Sequence, residues 1–205
     1  MRNDRGNIRK AAFILGGIAA TEGTWVTLNV THSPTRFFRY IGIGHSHVPW
    51  IGWVVAAATV ALYVSYSLRR LPSVRENVIA LTWLKLLAVG MAVASGLCEE
   101  AIFRKLLMDA LSKHGFAIAT QLVASAVFFG AAHGVWGLFR GSLTTAIGAT
   151  IATGSLGLAL AIVYVASHRV LLPAIAAHTA INLLIEPGLV LAAVRGEMGD
   201  GRAKR

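Results

Sequence analysis

Apolar residues along this chain fall into long blocks rather than the narrow stripe of a water-exposed helix. The first block runs from Ala11 to about Val30 and is interrupted once, by Glu22. Thr31–His47 reads as a loop or interfacial segment, with Arg36, Arg39 and several aromatics. Val48–Leu68 is a second block, opened by Pro49 and closed by Arg69-Arg70. Val78–Gly96 is a third, and it runs into Leu97–Leu111, a more polar helical stretch that ends at Lys113-His114-Gly115. Phe116–Trp136, Gly141–Ala166 and Val170–Ile185 follow, with Pro187-Gly188 as a stop signal. Leu189–Val194 is a last apolar piece before a polar, basic tail. A helix needs about 20 apolar residues to cross a bilayer. The pattern therefore predicts an all-α, polytopic transmembrane bundle of six to seven spans, depending on how Val78–Leu111 divides.

Composition narrows this further. Of 205 residues, 56% are hydrophobic and 14% charged, against about 45–50% and about 25% in soluble domains. A water-soluble enzyme, a disordered chain and a disulfide scaffold are all excluded by that balance. The net charge of +10 would suggest nucleic acid in a soluble protein. Here the basic residues gather at the two ends and between apolar blocks, where they meet anionic headgroups and set orientation, so nucleic acid is not an expected partner. The short basic start, with Arg2, Arg5, Arg9 and Lys10, has no short cleavable apolar region after it. It predicts a retained first span with a cytoplasmic N-terminus. One cysteine, Cys98, allows neither an intrachain disulfide nor a multi-cysteine metal site. No repeat or linker divides residues 1–205, which read as a single integral-membrane domain.

Ionisable groups inside spans are costly, face the bundle interior and mark function. Those here are Glu22, Lys85, Glu99, Glu100, Arg104, Asp109, His133 and His178, with Asn182 as an uncharged companion. In Cys98-Glu99-Glu100-Ala101-Ile102-Phe103-Arg104, the pair Glu100 and Arg104 is spaced i,i+4 in the favourable acid-before-base order. Glu99 points about 100° away, toward the bundle centre. Phe129 and His133 share a helical face across small residues that admit a close neighbour. His178 and Asn182 do the same on a later span. Each pattern alone is compatible with packing: a surface ion pair, an interfacial histidine, interhelical glue. Together, an unpaired carboxylate, two histidines and an Asn on three helices supply a base, its partner and two oxyanion donors. Those are the parts that water-mediated amide hydrolysis requires.

Glu-Glu-x-x-x-Arg at 99–104, Phe-x-x-x-His at 129–133 and His-x-x-x-Asn at 178–182 resemble, in order, the motifs of the CAAX-processing and bacteriocin-processing (CPBP, or Abi) intramembrane proteases. That family includes the type II CAAX prenyl endopeptidases. The resemblance covers a catalytic core of about 78–186. It implies Glu99 as catalytic glutamate, His133 as its partner in activating water, His178 and Asn182 as the oxyanion pair, and Glu100 with Arg104 as the supporting ion pair beside Phe129. It implies no metal or other cofactor. The alternative is a zinc enzyme with Glu99, His133 and His178 as ligands, and the absence of a His-Glu-x-x-His motif speaks against it. Gly154-Ser155-Leu156-Gly157 lacks the context of a nucleophile turn and reads as a packing face. His32, His45 and His47 follow no ligand spacing.

The expected activity is hydrolysis of a peptide bond near a hydrophobic or lipid-bearing end of a protein or peptide substrate, among membrane lipids. The expected location is the cytoplasmic membrane of a prokaryote. Prenylated proteins, bacteriocin precursors and C-terminal sorting tails all suit that chemistry. Two other classes compete: a non-catalytic peptide-binding or immunity protein, which has no need of all four polar groups, and a small transporter, which calls for an inverted repeat that is not seen.

Overall fold

A computed structural model describes residues 2–44, 47–138 and 143–197, and side chains from residue 5 except those of 135–138. Gly141, His45 and the basic tail after Glu197 lie outside them. All described elements are helical: α1 (Arg2–His32), α2 (Pro34–Ile41), α3 (Trp50–Arg70), α4 (Pro72–Asn77), α5 (Trp83–Glu100), α6 (Leu107–Lys113), α7 (Ile118–Leu138), α8 (Leu143–Ala166), α9 (Leu172–Ile185) and α10 (Gly188–Arg195). A six-residue π-helical turn, Ala101–Leu106, joins α5 to α6 without a break.

The boundaries follow local chemistry. Thr82 caps α5 by accepting a hydrogen bond from the Lys85 backbone N–H at 3.2 Å. Pro173 stands in the first turn of α9, where its missing N–H costs nothing. Gly42 and Gly196 close α2 and α10 in the left-handed conformation that a glycine adopts without strain.

Among the described residues the six to seven spans expected are not confirmed. Four helical stretches are long and apolar enough to cross: Arg5–His32, Trp50–Arg70, Trp83–Lys113 and Leu143–Ala166. A fifth arises if α9 and α10, bent by 56°, count as one broken span. α5 runs through the Gly96–Leu97 boundary and on through the π turn into α6, so Val78–Gly96 and Leu97–Leu111 form one helical stretch that begins only at Trp83. α7, Ile118–Leu138, is apolar along Ile118–Gly134.

Three apolar clusters hold the bundle. Leu156, Leu160 and Ile181 join α3, α8 and α9; Leu15, Leu84 and Leu191 join α1, α5 and α10; Phe37, Met108 and Tyr164 join α2 and α6 to α8. Leu62, Leu86, Val127 and Ile151 are among the large apolar side chains exposed outward, as a surface facing lipid requires. Burial of the polar groups at the centre leaves a cavity of about 710 Å3 among these clusters.

Candidate active site

Close helix approaches place the polar groups. At Gly96 a side chain would collide with Thr179 of α9, so this glycine lets α5 meet α9 just before the two glutamates. At Gly130 an added Cβ would stand 2.5 Å from the Thr150 carbonyl oxygen, and α7 therefore packs backbone to backbone on α8. Gly157 fits against the Phe129 ring. The Gly154–Gly157 segment is thus the packing face that its small residues suggest.

Glu100 is the buried hub. It and Arg104 are both fully buried, and Arg104 Nη1 donates to Glu100 Oε1 at 2.9 Å. Arg104 Nη2 donates to the Gly157 carbonyl at 2.9 Å. The same Glu100 Oε1 lies 2.8 Å from His178 Nδ1, so this nitrogen carries the proton and Nε2 is left for other partners. One carboxylate therefore neutralises the guanidinium and orients an imidazole from a helix 78 residues away.

Glu99 points the other way, as the 100° step between neighbours requires. Its Oε1 accepts from the Ser95 hydroxyl at 2.5 Å, one helical turn earlier. Its Oε2 is buried without a hydrogen-bond donor and lies 3.6 Å from His133 Nε2. His133 Nδ1 donates to the Phe129 carbonyl at 2.8 Å, which fixes the tautomer and turns Nε2 toward Glu99. Phe129 is the shared wall. Its ring stacks on His133 at 4.5 Å, meets His178 edge-on at 5.7 Å and lies 4.6 Å from the Arg104 guanidinium. Aromatic pairs of this kind contribute about 0.5–1.5 kcal/mol each beyond their area.

Glu99, His133, His178 and Asn182 all line the central cavity. A carboxylate and an imidazole nitrogen this close can hold one water between two acceptors, with further polar groups across the space. Among the described residues no three His, Cys, Asp or Glu groups are arranged to hold a metal ion. Glu99, His133 and His178 are thus not placed as the three ligands of a zinc site. The sequence of this region decides the family: residues 81–184, half of the chain, match the family described as type II CAAX prenyl endopeptidase, Rce1-like.

The chain belongs to that family.

Membership makes it a peptide hydrolase acting on protein or peptide substrates, and its apolar helices make it an integral membrane protein. No curated protein and no solved structure gives a significant match.

Other expected residues lie elsewhere. Asp109 accepts from Arg169 Nη1 at 2.7 Å and from the Tyr164 hydroxyl at 3.0 Å, and pairs with Lys105 at 3.2 Å. Arg169 also reaches Gln121, so this cluster ties the α8–α9 turn to α6 and α7. Lys85 donates to the Glu186 carbonyl at 2.6 Å, at the bend between α9 and α10. Two residues of the cavity wall carry no role in the sequence reading. Ser95 was detectable by its i,i−4 spacing from Glu99. Glu22 stood out only as a charge within a span.

Proposed function

We propose that the protein is an intramembrane endopeptidase that cuts near a hydrophobic or lipid-bearing end of a membrane-associated substrate, with water activated by Glu99 and His133. The observation that supports this reading is the facing pair, Glu99 Oε2 and His133 Nε2 at 3.6 Å on the cavity wall. Both are acceptors while His133 is neutral. A water donating one proton to each presents its oxygen lone pair to a scissile carbonyl. As that oxygen attacks, Glu99 takes the proton, and it later returns a proton to the leaving nitrogen as the C–N bond breaks.

The developing oxyanion needs donors, and His178 with Asn182 suits it. Glu100 accepts from His178 Nδ1 and so fixes the ring, and His178 Nε2–H is the donor that this reading assigns to the oxyanion. The Asn182 carboxamide supplies the second. Ile18, Met91, Ile102, Leu156, Leu189 and Val190 line the same cavity and suit an apolar chain end.

The test is hydrolysis, by purified protein, of a peptide with a prenylated cysteine near its C-terminus, beside the same peptide without the lipid and a soluble control. Cleavage of the apolar or lipid-bearing peptides that is lost in Glu99→Gln supports the reading. Cleavage that persists in Glu99→Gln refutes the water-activation step.

A further inference from the structure

Helix α1 lies outside the matched region of the family, yet it sends a carboxyl group into the same cavity. Glu22 lines it together with Ser95, Cys98 and Glu99, and interacts with the Glu99 and Ser95 side chains. Its own helix offers no counter-charge. Lys10 and His32 lie about 18 and about 15 Å away along the axis at 1.5 Å per residue. The Thr21 and Thr24 hydroxyls donate to their own helix carbonyls, of Gly17 at 2.9 Å and Ala20 at 2.6 Å. Among the described residues no ion pair to Glu22 is formed, although Arg70 of α3 lies elsewhere on the same cavity wall. α10 meets α1 through Val190 and Leu191, and α2 meets it through Phe37 and Ile41. Glu22 Oε2 and Glu99 Oε2 are both buried without a donor.

Two carboxylates in contact inside a membrane cannot both hold a charge cheaply. A single proton resolves this, since a protonated carboxyl is a donor and an ionised one an acceptor. We propose that Glu22 is a positioning residue: it shares one proton with Glu99 and thereby holds the Glu99 carboxylate turned toward water and His133. The inference rests on Glu99 as the group that activates water. Around the pair stand Ser95 and Cys98 from α5, His133 from α7 and His178 from α9, with Arg104 also acting on Glu99, and Tyr63, Tyr66 and Arg70 of α3 with Glu186 and Glu197 elsewhere on the cavity wall. In the monoprotonated pair one carboxylate remains to accept the water's proton, so the hydrolytic step balances as before. When the shared proton is lost at alkaline pH, the two charges repel and Glu99 loses its orientation.

The experiment compares Glu22→Ala, Glu22→Gln and Glu99→Gln in the full-length purified protein, with kcat and KM measured across pH. Glu22→Ala should lower kcat by about 10–100-fold with KM little changed, because only the alignment of the base is lost. Glu22→Gln keeps a neutral donor and should restore most of kcat, while the alkaline fall in kcat disappears because no shared proton is left to lose. Wild-type kcat and pH profile in both Glu22 variants would overturn the proposal, as would a Glu22→Gln variant no better than Glu22→Ala. If Glu22→Ala does not accumulate, infrared difference spectra decide. The carbonyl band of a protonated carboxyl should be present in wild type at neutral pH and absent in Glu22→Gln, and its absence from wild type overturns the shared proton. An active Glu99→Gln defeats the water-activation reading itself; an inactive one beside wild-type-like Glu22 variants defeats this inference alone.

Discussion

Glu99 and Glu100 are neighbours with different surroundings, and their variants should separate accordingly. Glu99→Gln keeps the size of the side chain and its contact with Ser95 but removes the proton acceptor, so it should abolish cleavage at normal abundance in the membrane. Glu100→Gln leaves Arg104 without its counter-charge in a fully buried place, with one neutral amide oxygen to accept from both Arg104 and His178. Removing one partner of such a pair costs about 3–5 kcal/mol, so abundance and activity should fall together. Immunoblots of membrane fractions beside cleavage assays check both, and identical behaviour of the two variants would contradict the division of roles. Asn182→Ala should lower turnover by about 10²–10³-fold, typical for one oxyanion donor, while KM changes little because the donor acts where charge develops. The Glu100–Arg104 pair was legible from i,i+4 spacing alone. That Glu100 also holds His178 was not, because this contact spans 78 positions and depends on how closely α5 and α9 approach. Glu22 was legible as costly, and its partner was not, for the same reason.

Helices here are positioned by what is missing from them as much as by what they carry. Gly130 faces the α8 backbone, with the Thr150 carbonyl and Gly154 as its nearest neighbours, whereas Gly90 has open space where a side chain would stand. Gly130→Ala should therefore force α7 and α8 apart, with the cost of about 1–3 kcal/mol seen on overpacking, and should displace His133, three residues on. Gly90→Ala should be neutral or slightly stabilising, since glycine within a helix costs roughly 0.5–1 kcal/mol relative to alanine. Thermal unfolding in detergent beside turnover measures both, and equal melting temperatures would contradict the close packing. The small residues of α7 and α8 were readable as a packing face, and the helical class followed directly from the apolar blocks. The number of spans is not confirmed among the described residues. Block counting leaves Val78–Leu111 to be taken as one run or two, while the helix continues from Trp83 to Lys113 through a π turn, and α9 and α10 meet at a 56° bend where Pro187-Gly188 stands. Neither event changes the hydropathy that the counting reads.

In the whole molecule, three apolar clusters surround one cavity, and it gathers carboxyl groups from α1 and α5, imidazoles from α7 and α9, and an amide from α9. The resemblance of the motifs identified the core from about residue 78 onward, and the family match over 81–184 covers the same elements. What lies outside, α1 and α3 above all, contributes wall residues such as Glu22, Tyr63 and Tyr66, and no motif announces them. The arrangement also bears on how water is activated. A zinc enzyme needs three convergent ligands and an open position, whereas among the described residues no three His, Cys, Asp or Glu groups are so arranged, and Glu99 and His133 face each other. If water is activated by those two alone, prolonged treatment of detergent-purified protein with a membrane-permeant zinc chelator should leave turnover unchanged. Elemental analysis should then find no stoichiometric metal in the active preparation. Loss of turnover on chelation, restored by added zinc, would overturn the glutamate mechanism and leave the peptidase assignment standing. The comparison should be made on the same protein that cleaves the lipid-bearing peptide, so that inactivity after chelation cannot be mistaken for loss of fold: an unchanged melting temperature in detergent separates the two.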